Sequence, residues 1–286
     1  MQITKQRMNP IIKVQELQEI SEKEKDLVIV DVSNGKEARY NYEKKHLDKA
    51  IFVDLNSQLA DIKDNFSQGG RHPLPKIEDF SEILGKIGIS KHTHVVIYDD
   101  KNGANAAARF WWMLKAAGHK KVQVLDGGIQ KAEQSGYPVN NHKVQPVPVA
   151  DYPFTKWELP LVEMDEIRKT NDLIIDVREE NRYLGISEPI DQIAGHIPGA
   201  VNFPFPENLN PDGTFLTPVQ LKEKYTKLLK GQSIEHVIVH CGSGVTACHT
   251  ILALDYAGLG NPKLYVGSWS EWSRNENKMA TGANVD

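Results

Sequence analysis

The feature that most constrains this 286-residue chain is that it reads twice. In the first half, Val14, Leu17 and Ile20 space an amphipathic helix ahead of the apolar run Leu27-Val28-Ile29-Val30-Asp31-Val32. In the second, Leu161, Met164 and Ile167 precede Leu173-Ile174-Ile175-Asp176-Val177 in the same way. Lys45-His46-Leu47-Asp48-Lys49-Ala50 then matches Gly195-His196-Ile197-Pro198-Gly199-Ala200, and Val95-Val96-Ile97-Tyr98-Asp99 matches Val237-Ile238-Val239-His240-Cys241. After a helical stretch in each half, Leu125-Asp126-Gly127-Gly128 stands opposite Tyr265-Val266-Gly267-Ser268. A repeat one domain long calls for two copies of one fold, not one fold of twice the size. Short β-branched runs bounded by Gly, Pro or Asp, alternating with helical patterns, make each copy an α/β unit with a central, mostly parallel sheet flanked by helices. Pro138, Pro146, Pro148, Pro153 and Pro160, set around Asn140, Asn141 and His142, mark a stiff, extended connection. The predicted division is an amino-terminal domain over 1–142, a linker over 143–160 and a carboxy-terminal domain over 161–286.

Composition bears on partners and compartment. With 34 Lys plus Arg against 38 Asp plus Glu the net charge is −4, which argues against nucleic acid and against a polybasic membrane surface. Two cysteines make no disulfide framework and no thiolate zinc site, so a cysteine that matters here matters through reactivity, and no metal is expected. The first twenty residues carry charges throughout and do not read as a secretory signal, and no apolar run approaches a membrane span. A cytoplasmic protein is expected, where a single reactive thiol stays reduced. Two domains packed on each other would cover their own apolar faces, which predicts a monomer.

In open parallel sheets, chemistry gathers beyond the carboxyl ends of strands. One copy has Asp99 there and the other has Cys241. Cys241 opens the loop Cys241-Gly242-Ser243-Gly244-Val245-Thr246, which leads into a helix. Gly242 and Gly244 are expected to take positive φ, so that the loop N–H groups, those of Val245 and Thr246 included, converge on the sulfur. The positive end of the helix dipole favours an anionic sulfur in the same place. Cysteine at a strand end can also be a small buried hydrophobe. The Gly-rich strand-to-helix turn favours the nucleophile. Cys248 shares a helical face with Ile251 and Leu252 and reads as core. A phosphate-binding cysteine loop would need an arginine six residues on, where this chain has Ala247. A ring of amides without that fork suits one terminal sulfur, a persulfide. Trp111, Trp112, Trp269 and Trp272 read as packing residues, and the alternation around His236 and His240 argues against a metal site.

These motifs, with Gly267-Ser268-Trp269-Ser270-Glu271-Trp272, Arg109-Phe110-Trp111-Trp112 and Asp126-Gly127-Gly128, resemble the two-domain rhodanese-like sulfurtransferases over nearly the whole chain. The resemblance implies two tandem rhodanese-like domains, the carboxy-terminal one catalytic and the amino-terminal one an inactive copy. It implies a ping-pong enzyme without cofactor, in which a Cys241 persulfide carries sulfane sulfur from 3-mercaptopyruvate or thiosulfate. Cyanide, a small thiol or a thioredoxin-like protein is the implied acceptor. Gly242 and Ser243 resemble the mercaptopyruvate-type loop, Arg182 matches the arginine that holds the donor's anion, and Ser243 with His72 matches two members of a relay. Two positions depart from the pattern. Glu188-Pro189-Ile190-Asp191-Gln192-Ile193-Ala194 lacks the family's second arginine, and the relay aspartate reads Asn56, leaving nearby Asp54 as its possible replacement. The blander readings are a surface ion pair of Arg182 with Glu179 or Glu180, a polar loop role for His72, and a sulfur-carrier or protein-docking module with little turnover.

Overall fold

The computed structural model describes residues 7–283; the first six residues of the charged amino-terminal stretch lie outside the described residues. The first half supplies β1 (Ile11–Ile12), β2 (Leu27–Asp31), β3 (His46–Leu47), β4 (Ile51–Phe52), β5 (His94–Tyr98), β6 (Val122–Leu125) and β7 (Val139–Asn140). The second supplies β8 (Leu173–Asp176), β9 (Val201–Asn202), β10 (Val237–His240) and β11 (Lys263–Leu264). One parallel sheet runs β1-β6-β5-β2-β4 and the other β11-β10-β8-β9, while β3 and β7 pair antiparallel. An isolated parallel bridge between Leu161 and Leu264 adds, beside β11, the neighbour that β1 is to β6. The two strand orders are therefore the same.

The repeat extends to side chains. His46 stacks on Tyr42 with centroids 4.2 Å apart, and the Tyr42 hydroxyl donates to the Ala50 carbonyl at 2.7 Å. His196 stacks on Tyr183 at 3.8 Å, and the Tyr183 hydroxyl donates to Ala200 at 2.6 Å. The turn after each histidine needs a left-handed residue, supplied by Gly199 at φ +80° and by Lys49 at +64°.

Two expectations change. The helix expected from Leu161 onward is one turn, Met164–Ile167, where the first half has ten residues, Val14–Lys23. Leu161 lies at the sheet edge, and Thr170, Asn171 and Asp172, turn-forming residues, follow the helix after two intervening residues. The segment 143–160 is also more than a stiff connection. Val149 N–H donates to the Gly85 carbonyl at 2.9 Å, Tyr152 N–H to Ser81 at 3.1 Å, and Tyr152, Phe154 and Trp157 pack around Phe80 and Trp112. Aromatic area in the segment is buried against the amino-terminal half, which fixes its path.

The largest core cluster spans both halves, because the helices following β5 and β10, Ala106–Ala116 and Thr246–Tyr256, pack against each other. Both are apolar nearly all round, the signature of buried helices. Their mutual packing brings the amino-terminal loops to the mouth of the Cys241 loop.

The core buries histidines as neutral rings. Burial pushes His119 down to about 4 and His249, set between Phe205 and Phe215, down to about 3. In the unfolded chain both titrate near 6.5. Their neutral burial therefore carries no protonation penalty above that pH, and stability is lost as pH falls from about 6.5 toward the folded values. At about 1.4 kcal/mol per pH unit, each contributes a loss of about 2 kcal/mol at pH 5. His249→Phe removes one share. Urea unfolding at pH 7 and pH 5 should show a smaller acid loss in His249→Phe than in the parent, and equal losses would contradict this account.

Candidate active site at the domain interface

Cys241 follows β10 directly and is only 2% exposed. Its loop is held from behind by Ser268, whose Oγ accepts N–H from Cys241 at 3.1 Å and from Gly244 at 3.0 Å and donates to the Tyr265 carbonyl at 2.8 Å. The next residues return the contact: Trp269 N–H donates to the Cys241 carbonyl at 3.0 Å and Ser270 N–H to Gly242 at 2.9 Å. The N–H groups of Gly242, Ser243, Val245, Thr246 and Ala247 donate to no acceptor among the described residues. The amino-terminal copy shows what such a loop binds. Asp99, in the place of Cys241, turns its own carboxylate into the loop and accepts N–H from Lys101 at 2.9 Å, Gly103 at 2.8 Å, Asn105 at 3.0 Å and Ala107 at 3.1 Å. Burial pushes the Asp99 carboxyl up, and these four bonds pull it back. The loop geometry suits an anion, and in the carboxy-terminal copy the residue at its head is a thiol.

The two glycines have different reasons. Gly244 has φ +71°, as expected, and a Cβ there would meet the Val266 carbonyl oxygen at 2.6 Å. Gly242 does not take positive φ. A Cβ on it would stand 3.0 Å from Arg71 Nη2 and 3.3 Å from Arg182 Nη2, so what it provides is the close approach of two guanidinium groups.

The amino-terminal loop carrying Arg71 and His72 is pressed onto this floor. Gly70, at φ +77°, leaves no room for a side chain against Gly267 and Ser270, Gly69 N–H donates to Glu271 at 2.7 Å, and Arg71 N–H donates to Ser270 Oγ at 3.0 Å. His72 Nδ1 then lies 2.8 Å from Ser243 Oγ, and Nε2 lies 3.2 Å from Asn56 Oδ1. With the Asn56 carbonyl as acceptor, Nε2 carries the proton and Nδ1 accepts from the serine. Asn56 therefore occupies the third position of the relay. Asp54 does not replace it: its carboxylate caps the helix Leu55–Gln58 by accepting N–H and O–H from Ser57, both at 2.8 Å. Burial, and then the positive charges of Arg109 and Arg71, hold His72 down to about 4, with Asp191 pulling the other way.

Arg182 is no surface residue. Burial works against its charge, but Glu188, Glu179 and Asp191 outweigh burial and hold it above its ordinary value. Its Nε donates to both Glu188 oxygens at 3.0 Å, and Nη2 reaches Asp191 at 3.4 Å. Asp191, buried where the family's second arginine was looked for, also pairs with Arg71 and with Arg274, the latter at 2.8 Å. Arg71, next to His72 in the chain, carries no signal of this role in the sequence. Its partner lies 120 positions away, and no local pattern signals the pair. Cys248 is fully buried, its Sγ donates to the Gly244 carbonyl at 3.3 Å, and burial pushes it up to about 12. Trp111, Trp112 and Trp269 are likewise buried, and Trp269 Nε1 donates to the Ile193 carbonyl at 2.8 Å.

Among the described residues there is no cluster of three or more His, Cys, Asp or Glu side chains placed for a metal, and no helix is long and apolar enough to cross a membrane. A cavity of about 950 Å³ is lined by Lys91, His92, Lys120 and Lys121 at the amino ends of β5 and β6. It lies at the opposite strand ends from Cys241.

Residues 13–135 and 162–275 each match the rhodanese-like domain family. A probable 3-mercaptopyruvate sulfurtransferase of Pseudomonas aeruginosa is 37% identical over 247 residues, covering 84% of this chain and 86% of that protein. The 3-mercaptopyruvate sulfurtransferase of Homo sapiens is 36% identical over 246 residues, covering 83% and 80%, and the thiosulfate sulfurtransferase of Rattus norvegicus is 34% identical over 246 residues, covering 84% and 81%. Among solved structures, the 3-mercaptopyruvate sulfurtransferase from Leishmania major superposes with a TM-score of 0.82 at 28% identity, covering 93% of this chain and 75% of that one. With a duplicated sheet, a cysteine loop in one copy and its carboxylate-filled counterpart in the other, the chain belongs to the two-domain rhodanese-like sulfurtransferase family.

Proposed function

We propose that this protein transfers a sulfur atom from 3-mercaptopyruvate, and less readily from thiosulfate, as the sulfane sulfur of a persulfide on Cys241. The observation that carries the reading is the meeting at one loop of three things: a thiol among unengaged N–H groups, two guanidinium groups across Gly242, and the Ser243–His72–Asn56 relay. Sulfur transfer is also the activity named for relatives 35–37% identical over four fifths of their length.

The Cys241 thiolate attacks the sulfur of the donor thiol. The sulfur–sulfur bond forms as the carbon–sulfur bond breaks, and the electron pair leaves on the carbon as the enolate of pyruvate. The donor's thiol proton passes to Ser243 as Ser243 gives its own to His72 Nδ1, and the same relay returns a proton to the enolate carbon. Thiolate and mercaptopyruvate thus become anionic persulfide and pyruvate. A histidine held to about 4 releases that proton readily and stays a neutral acceptor at pH 7. Arg182 and Arg71 hold the donor carboxylate through N–H groups not used by Glu188 and Asp191. The loop N–H groups receive the terminal sulfur anion. Cyanide, a small thiol or a thioredoxin-like protein then takes the sulfur and regenerates the thiolate.

Thiosulfate leaves as sulfite and needs no proton on carbon. Ser243→Ala should therefore cost about a hundredfold in turnover with mercaptopyruvate, and much less with thiosulfate. Steady-state rates with both donors and one acceptor test this. An equal loss with both would mean that the relay moves no proton. A protein that takes no sulfur from either donor would instead be a docking or carrier module.

A further inference from the structure

Arg109 stands on the amino-terminal helix Ala106–Ala116, fully buried, between the Cys241 loop and the His72 segment. Its Nη1 donates to the Gly244 carbonyl and its Nη2 to the His72 carbonyl, each at 3.1 Å, and its Nε has no partner. No carboxylate pairs with it within 4.0 Å among the described residues. The neighbouring arginines differ: Arg71, Arg182 and Arg274 meet Asp191, and Arg178 meets Asp176. A guanidinium cannot shed its proton, and burying one without a counter-charge is strongly unfavourable, so the fold must supply an anion here in its working state.

The candidates are few. Burial lowers Arg109, and the groups that pull it back are the thiols of Cys248 and Cys241. Cys248 is a neutral thiol whose hydrogen is engaged by Gly244. Cys241 is the remaining one. We propose that Arg109 is the counter-ion, lent by the amino-terminal domain, for the anionic sulfur of Cys241, thiolate and persulfide alike. It is a positioning residue, and it makes the nucleophile's charge depend on the docked amino-terminal domain. The proposal deepens the persulfide reading and rests on it for the second of the two anions.

Other charges lie around the Cys241 loop, but each is balanced or neutral. Arg71 and Arg182, across Gly242, are held by Asp191 and Glu188. His72, reached through Ser243, and His240, whose Nδ1 is 3.1 Å from the Cys241 carbonyl, are both pushed down by burial and neutral at pH 7. Asp176, 3.7 Å from His240, is paired with Arg178. The guanidinium of Arg109 is the charge left unbalanced.

The test is the rate at which iodoacetamide alkylates Cys241 as a function of pH, located by peptide mass, in the full-length protein and in Arg109→Gln, Arg109→Met and Arg109→Lys. Glutamine keeps a donor for the two carbonyls while removing the charge, which guards against a variant that fails to fold. The midpoint of the profile should rise by about one pH unit or more in Arg109→Gln and Arg109→Met, with the rate at pH 7 down about tenfold. Arg109→Lys should stay close to the parent. A folded Arg109→Gln with the parent's midpoint would overturn the proposal, as would a lysine variant shifted as far as glutamine. Alkylation needs no sulfur donor. A parent that forms no persulfide therefore counts against the proposed function, whereas an unmoved midpoint counts against Arg109.

Discussion

Cys241→Ser is expected to lose sulfur transfer by at least about a thousandfold with either donor, in a protein that still folds. A serine hydroxyl fits a site where Cys241 is 2% exposed and the loop backbone is fixed by Ser268, so the variant should still fold. The chemistry is not. A hydroxyl does not ionise at neutral pH in this setting, and it has no route to a stable sulfur adduct from which an acceptor could take sulfur. Cys248→Ser is the companion control. Its thiol is core, with its hydrogen on the Gly244 carbonyl, so that variant should keep transfer within a few fold. Rates for the two variants with mercaptopyruvate and cyanide separate the roles. A Cys241→Ser protein with appreciable transfer, or a Cys248→Ser protein without it, would contradict the assignment.

Arg71→Met is expected to raise the KM for mercaptopyruvate between about tenfold and a hundredfold, the range for losing one charge-assisted contact to a ligand, with a smaller change in kcat. The fold should tolerate it. Asp191 keeps Arg274 at 2.8 Å and Arg182 at 3.4 Å, so no buried carboxylate is stranded. Arg71→Lys should rescue only part of the affinity, because a single ammonium nitrogen lacks the planar fork that places one nitrogen on Asp191 and the other across Gly242. Gly242→Ala gives an independent check. Its Cβ would crowd Arg71 Nη2 at 3.0 Å and Arg182 Nη2 at 3.3 Å, and it should likewise raise KM with little effect on stability. An unchanged KM in Arg71→Met would mean that the donor is bound elsewhere and that the Asp191 pair serves only to join the domains.

The duplication was legible because strands and their flanking motifs are local patterns. The apolar runs of β2 and β8 and of β5 and β10 can be matched by eye, and the histidine that stacks on Tyr42 or Tyr183 sits at a fixed place in its motif. Asp99 and Cys241 could be set opposite each other before either environment was known. Contacts between distant segments could not be read. Arg71 meets Asp191 across 120 positions and Arg109 meets Gly244 across 135, and neither pair leaves a periodic trace. The absence of a second arginine in the Glu188–Ala194 stretch looked like a defect. In three dimensions the aspartate there anchors an arginine from the other domain. Gly242 was misjudged for a related reason: a glycine kept for φ and one kept for a neighbour's close approach are indistinguishable in sequence. Short helices fail in the same way. Whether the turn at Met164 extends depends on the bridge from Leu161 to Leu264, a tertiary contact.

The central claim is a covalent one, that the sulfur rests on Cys241 between donor and acceptor. Intact-mass measurement after brief exposure of the purified protein to mercaptopyruvate without acceptor, followed by peptide mapping, tests it most directly. The account predicts a gain of one sulfur atom, located on the peptide containing Cys241, absent in Cys241→Ser and discharged when cyanide is added. An unmodified Cys241 under conditions of active turnover, or a sulfur adduct located on Cys248, would contradict it.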